Sequence, residues 1–191
     1  YEINGNSHMI KNMEWGAVAY LSHSKYGTCT DGICTAISAN KNGSYYTGGG
    51  TSNAYKTNVA QSTTQNIYGI YDMSGGAWDV VMGNMVNTSG AFYSSSAGFV
   101  VTPNSKYYDS YTYSTSNVTH GRGKLGDATK EILKTFGNAS GGWYGNGSVF
   151  PISSSSWFYR GNNLNSGIFT FSYDTGQAAT SYSTHAVLVA N

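Results

Sequence analysis

Apolar residues recur at helical spacing most clearly in residues 9–26, MIKNMEWGAVAYLSHSKY, where Met9, Met13, Ala17 and Tyr20 share one stripe that Ile10 and Leu21 extend. Gly27 supplies a stop, and the stripe reads as core. A second, shorter helix is expected over residues 128–136, ATKEILKTF, with Asp127 as its N-cap and Gly137 as its end. Short strands are expected at 148–152, 157–160, 168–173 and 186–190, between turns carrying Gly, Asn and Ser. Residues 91–118 include YYDSYTYSTSN, in which Tyr alternates with Ser and Thr, and fit either a strand or an exposed loop. Residues 35–65 are rich in Gly, Ser, Thr and Asn and read as an irregular surface excursion. Their GGG has no strand before it and no GK[ST] after it, so a phosphate loop is set aside. Helix, irregular middle, short helix and strands, with no internal repeat or linker, predict one α+β domain over residues 1–191, with a small antiparallel sheet and much loop.

Composition narrows the setting. Charged residues make up 10% of the chain, against roughly 25% in average soluble domains, and Gly, Ser, Thr, Asn and Tyr fill the gap. The net charge is +1 without long charge runs, which speaks against nucleic acid as a partner. No apolar run approaches the roughly 18 residues of a membrane span, and no signal peptide is visible. The chain opens abruptly at Tyr1, so the expectation is a fragment whose leader or anchor lies outside it. Any membrane attachment would then run through that segment. The expected location is extracellular, on a cell, phage or filament surface.

The two cysteines lie in CTDGIC. Asp31-Gly32 is a two-residue hairpin signal, which sets Thr30 opposite Ile33 and Cys29 opposite Cys34. That register favours a cross-strand disulfide, Cys29–Cys34, and an oxidising compartment. A redox pair or half a metal site are the alternatives, without another cysteine to support them.

The stretch NIYGIYDMSGGAWDVVMG, residues 66–83, resembles the N-x-x-G-L-Y-D-M-x-G-N-V-W-E-W signature of the formylglycine-generating-enzyme (sulfatase-modifying factor) family, matching at Asn66, Gly69, Tyr71, Asp72, Met73, Gly75 and Trp78. MEWGAVAYLSHS resembles that family's first helix, and the segment from Trp157 to the end resembles its closing R-G-G turn and strands. The resemblance implies a C-type-lectin-like fold: two helices around a small twisted antiparallel sheet with long irregular loops. It departs where the family's oxidase chemistry resides. No cysteine follows Arg160-Gly161, Gly76 stands where the turn Asn is expected, and Thr184-His185 replaces the closing Phe-Arg. The scaffold is similar to that of the non-catalytic prepilin-like and diversity-generating-retroelement variable proteins, whose C-terminal segment is a ligand-binding face. The 66–83 stretch then reads as a scaffold turn bracing that face.

Display fits the residue types better than catalysis. No G-x-S-x-G occurs, and His8, His23, His120 and His185 are scattered among polar residues. Asp72 and Asp79 could meet as a carboxylate pair, but Asp72 reads as a turn residue accepting backbone bonds. No metal site or other cofactor is assigned. Calcium, which the fold class often holds, would draw on Asp72, Asp79 and Asn84, against which the loss of the turn Asn at Gly76 counts. Tyr, Ser, Gly and Asn are the residues of adaptable binding loops, and the chain has 17 Tyr. The resemblance places the candidate face at Tyr159, Asn162, Asn163, Asn165, Thr170, Ser172, Tyr173, Asp174, Thr175, Thr180, Ser181 and Tyr182. Phe169 and Phe171 are expected to point to the core, with Thr170 and Ser172 outward. The four tryptophans read as core, and Trp143-Tyr144 is the pair where a sugar could stack. The expected function is adhesin-like binding of a surface protein or glycan, in a head domain that could form homo-oligomers or a pilin-like filament. The alternatives are a structural filament or coat subunit making only self-contacts and a formylglycine-generating oxidase, which the missing cysteine pair disfavours.

Overall fold

The computed structural model describes residues 5–34, 62–63, 70–71, 73, 77–93, 99, 102–118, 120–131, 142–161 and 167–189. In chain order the elements are β1 (His8–Met9), α1 (Asn12–Ser22), β2 (Cys29–Thr30), β3 (Ile33–Cys34), β4 (Trp78–Val86), β5 (Asp109–Thr112), β6 (Trp157–Arg160), β7 (Phe171–Asp174), β8 (Tyr182–Ser183) and β9 (Ala186–Val187). The main sheet runs β5-β4-β6-β7, with β8 also on β4. The fold is α+β, and one-domain organisation remains the expectation from the sequence.

Residues 66–69, 72 and 74–76 of the 66–83 stretch lie outside the described residues, and from Trp78 the chain forms β4, the longest strand among those described. WDVVMGNMV lies inside the sheet, with β6 antiparallel on one side and β5 and β8 parallel on the other. A strand covered on both faces needs no polar alternation, so its apolar run carries no period-two signal. The expected antiparallel sheet is therefore mixed. β6 matches expectation. Of the predicted 168–173 strand, residues 168–169 form a turn and β7 starts at Phe171. The predicted 148–152 strand reduces to isolated bridges at Ser148 and Ile152. Cys29 pairs with Cys34 and Thr30 with Ile33, and the disulfide is present.

Helix α1 begins and ends later and earlier than its apolar stripe suggests. Glu14 accepts from the Lys11 N–H at 2.8 Å, and Asp109, brought from β5, accepts from the Met13 N–H at 2.7 Å. Two carboxylates thus satisfy N–H groups that the first helical turn leaves free. Burial pushes Asp109 above its ordinary range, and the Met13 bond opposes this. The helix ends at Ser22, where Thr28 returns its N–H and hydroxyl to the Ser22 carbonyl. Gly27 packs against that carbonyl instead of ending the helix. The buried face is Asn12, Trp15, Gly16, Ala19 and Ser22. The predicted stripe is rotated away from it: Ala17 is exposed, as is Leu21. The small residues Gly16 and Ala19 allow a close approach that longer apolar side chains would prevent.

The second helix does not form where the sequence starts it. Asp127 accepts from the Thr129 N–H at 2.8 Å and the Lys130 N–H at 3.4 Å, as an N-cap would. Ala128, however, has φ 56°, and residues 128–131 are turn and bend. The remainder of that prediction, 132–136, lies outside the described residues, among which α1 is the single α-helix.

On its inner face the sheet packs Val81, Met85, Phe158 and Phe171 against Trp15, Ala19, Phe150 and Phe169. A polar network runs through this core. Asn12 donates to the Tyr111 hydroxyl at 2.7 Å, which donates to Asp127 at 2.8 Å. Arg160 donates to the Asn12 side-chain oxygen at 3.3 Å and to the Asp127 carbonyl at 3.4 Å. All four side chains are fully or almost fully buried. Burial lowers Arg160 to about 10, with Asp127 as the main opposing charge. Burial and Asp127 raise the Tyr111 phenol. At neutral pH the core therefore holds a guanidinium and a protonated phenol. Among the described residues, no helix is long and apolar enough to cross a membrane.

Candidate functional site

Paired residues on neighbouring strands point to the same side of a sheet. Arg160 pairs with Asp79 and Phe171, and Phe158 with Tyr173, so these side chains share the inner side. Tyr159 pairs with Val80 and Ser172, Trp157 pairs with Asp174, and Trp78 pairs with Tyr182. These form the outer side, which has two parts. Around Trp157, a smaller apolar cluster of Met82, Met9, Val80, Phe92 and Tyr108 covers the sheet. Toward β8 the cover thins, leaving Trp78, Tyr159 and Tyr182 half-buried.

These three rings form a continuous patch. Trp78 and Tyr159 lie 4.2 Å apart between centroids, and Tyr159 and Tyr182 lie 6.0 Å apart. Ser172 hydrogen-bonds the Tyr159 phenol, whose pKa burial raises. Asp174 accepts from the Tyr182 hydroxyl at 2.6 Å and from the Gly176 N–H at 2.8 Å. Gly176 is required here: φ is +84°, and a Cβ would lie 2.3 Å from the Trp157 ring nitrogen. The exposed residues 177–181 form the rim, with the Tyr182 N–H bonded to the Ala179 carbonyl and the Trp78 N–H to the Ser181 carbonyl. The result is an aromatic patch with one carboxylate, held by strands and edged by a small-residue loop. Tyr and Trp in such a setting offer contact area at low entropy cost.

The structure sorts the expected site residues. Tyr159, Ser172, Asp174 and Tyr182 converge on the outer side, and Thr180 and Ser181 lie on its exposed rim. Thr175 is half-buried between β7 and Gly176. Tyr173 lies on the other side of the sheet, paired with Phe158. Thr170 is a correction: it does not face outward but is 2% exposed, donating to Asn146 at 3.0 Å. Its alternation fails because residues 168–169 are a turn, where side chains no longer alternate. Asn162, Asn163 and Asn165 lie outside the described residues. Trp78, expected in the core, is half-buried on the outer side, and its alternation with Val80 and Met82 along β4 is the signal that places it there.

Two of the three candidate ion ligands, Asp79 and Asn84, lie on opposite sides of the sheet. Asp79 lies on the inner side of β4 and Asn84 on the outer, opposite Trp157, while Asp72 is outside the described residues. No group of three or more His, Cys, Asp or Glu side chains suited to a metal occurs among the described residues. Asp79, Ser183 and His185 supply triad residue types, but Ser183 donates to Asp79 at 2.6 Å and His185 Nδ1 lies 3.3 Å from the same oxygen. His185 Nε2 is occupied by the Tyr71 carbonyl at 3.0 Å. The acid thus stands between serine and histidine, and no serine–histidine bond forms. The buried Asp79 thereby ties β8 to β4.

The Tyr182–Asp174 bond has a pH signature. Its neutral phenol donates to the carboxylate, so the hydrogen bond, followed by burial, raises Tyr182 from 10.0 to about 12. A raised folded-state value means the stabilisation is full below the unfolded value near 10 and is lost as pH climbs through 12. Phenolate absorbance should show one tyrosine titrating near 12, and Tyr182→Phe should remove that component. Persistence of the component in the variant would refute the assignment.

Neither a protein-family model, nor a curated protein, nor a solved structure matches this chain.

Proposed function

We propose that this chain is a non-catalytic, surface-displayed binding domain of C-type-lectin-like architecture. It takes a surface protein or a glycan through the Trp78–Tyr159–Tyr182 face. The observation that carries the reading is the half-buried aromatic patch itself, with Asp174 held beside it by Tyr182 and Gly176. Binding energy concentrates in such aromatic anchors, and strands hold them more rigidly than loops can. The Cys29–Cys34 disulfide supports an oxidising, extracytoplasmic location. The adhesin-like role, with a filament as the setting, follows from the resemblance in residues 66–83 and in the C-terminal segment.

The test is binding of the purified domain to glycan and surface-protein arrays, beside a Tyr159→Ala/Tyr182→Ala/Asp174→Ala variant whose folding is checked by circular dichroism. The variant is expected to lose at least about tenfold in affinity for the ligand found. Unchanged binding in a folded variant would remove this face from the site. Self-association without any external ligand would favour a structural filament or coat subunit.

A further inference from the structure

A second aromatic surface lies on the inner side of the sheet and shares no residue with the proposed receptor face. It is a cleft of about 430 Å³ lined by Tyr20, His23, Cys34, Trp143, Tyr144 and Phe169. Phe169, 2% exposed, is its floor. Four rings surround that floor: His23 at 4.7 Å, Trp143 at 5.3 Å and nearly perpendicular, Tyr144 at 5.9 Å and nearly parallel, and Tyr20 at 6.3 Å. His23 and Tyr144 also approach each other at 4.8 Å. The disulfide hairpin contributes Cys34.

The loop that presents Tyr144 is built to hold it. Tyr144 has φ 56° and ψ 23°, a left-handed conformation unfavourable for a side chain of this size. The residue nevertheless remains 50% exposed, so the strain is not explained by burying a large apolar group. The buried Asn146 side chain donates to the Trp143 carbonyl at 2.7 Å and accepts from the Gly167 N–H and, at 3.0 Å, from the Thr170 hydroxyl. One asparagine thus joins the Trp143–Tyr144 turn to the segment carrying Phe169.

The charge around this cleft selects among ligands. Burial first, and then the nearby Glu131 carboxylate, push the Tyr20 phenol well above its ordinary value, with Asp127 adding to the effect and Arg160 opposing it last. The carboxylate potential that disfavours a phenolate favours a cation. Ring faces attract cations through their quadrupoles, most strongly where water is partly excluded. The surface that the described lining residues present is mostly apolar, which suits methyl groups better than the many hydroxyls of a pyranose.

We propose that the Tyr20–His23–Trp143–Tyr144–Phe169 cleft binds a small quaternary ammonium group of the choline type, free or as phosphorylcholine. The cleft's volume falls in the range of small-ligand sites, and an extracytoplasmic setting would expose it to choline-bearing glycans and lipids. The methyl groups would rest against Tyr144 and the rings packed around Phe169, where the negative potential of Glu131 favours a cation.

Calorimetric titration of the purified domain with choline, phosphorylcholine and the uncharged isostere with carbon in place of the ammonium nitrogen tests this directly. Choline or phosphorylcholine is expected to bind at least about tenfold more tightly than the uncharged isostere. Tyr144→Ala should abolish that preference, and Tyr144→Phe should retain it. Because Tyr144 is half exposed, the alanine variant should fold, which circular dichroism checks. Tighter binding of phosphorylcholine than of choline would identify the carried headgroup as the ligand. Equal binding of charged and uncharged isosteres, no binding at all, or a preference that survives Tyr144→Ala would overturn the proposal. So would binding confined to a trimethyl-lysine peptide or to methyl glycosides. None of these results depends on the Trp78–Tyr159–Tyr182 face.

Discussion

Asp127→Ala is expected to lower stability by about 3–5 kcal/mol, the range for removing one partner of a buried charged network. Asp127 is fully buried and accepts through both carboxylate oxygens. One takes the Tyr111 hydroxyl at 2.8 Å and the Lys124 N–H at 3.1 Å. The other takes the Thr129 N–H at 2.8 Å and its hydroxyl at 2.6 Å. Alanine would leave these donors without an acceptor and remove the main negative charge acting on the buried Arg160. Unsatisfied buried donors cost more than the net value of the bonds they lose. Asparagine should rescue little, because one of its two positions would present an N–H₂ group to donors. Arg160→Met should cost less than Asp127→Ala, because the Asp127 carboxylate it leaves behind still accepts from the Tyr111 and Thr129 hydroxyls and the Lys124 and Thr129 N–H groups. Urea denaturation of the three variants checks the order. In a chain of this length Asp127→Ala should lower the melting temperature by roughly 10 °C. A benign Asp127→Ala together with a severely damaging Arg160→Met would show that the network is organised around the cation.

Gly16→Ala should also destabilise, against the usual direction. In an exposed helix interior the change gains about 1 kcal/mol of helix propensity. Here an added Cβ would stand 2.2 Å from the Gly126 carbonyl oxygen and 2.6 Å from the Asp127 backbone. Backbone cannot swing aside as a flexible side chain can, so α1 would have to move off the loop that carries Asp127. Overpacking of this kind costs about 1–3 kcal/mol, and more where the surroundings are rigid. A net loss of about 2 kcal/mol is expected after the propensity gain, read as a lower denaturation midpoint with an unchanged slope. Ala17→Gly, on the exposed side of the helix, is the control and should lose only the propensity difference. If Gly16→Ala stabilised the protein, the helix–loop contact would be looser than the geometry indicates.

These two positions show where the sequence is informative and where it is not. CTDGIC predicts its own structure because the signal is local: Asp31-Gly32 makes the turn, and the turn dictates that Cys29 faces Cys34. The existence of α1 is legible for a similar reason, but its buried face is not. Hydrophobicity marks Met13, Ala17 and Tyr20, whereas packing buries Asn12, Gly16 and Ser22 because the neighbouring backbone comes close and a polar network needs the asparagine. Asp127 looks like an N-cap from sequence and does bond the next N–H groups, yet its second oxygen is taken by Tyr111 from strand β5.

For the candidate face, residue type was readable and orientation was not. Tyr159 and Tyr182 stand out as aromatic binding residues in a polar setting, but their partnership with Trp78 depends on β8 lying parallel to β4 across more than a hundred residues of chain. Thr170 misleads because alternation holds only inside a strand, and the strand begins one residue later. By itself the sequence determined the α+β class, the disulfide hairpin and a supply of tyrosines suited to recognition, because turn chemistry and residue type act over a few positions. Only the tertiary structure decided which sheet face those tyrosines occupy, which polar groups the core encloses and that five distant rings meet in one cleft, because these depend on strand pairing and close backbone approach between segments that no local pattern relates.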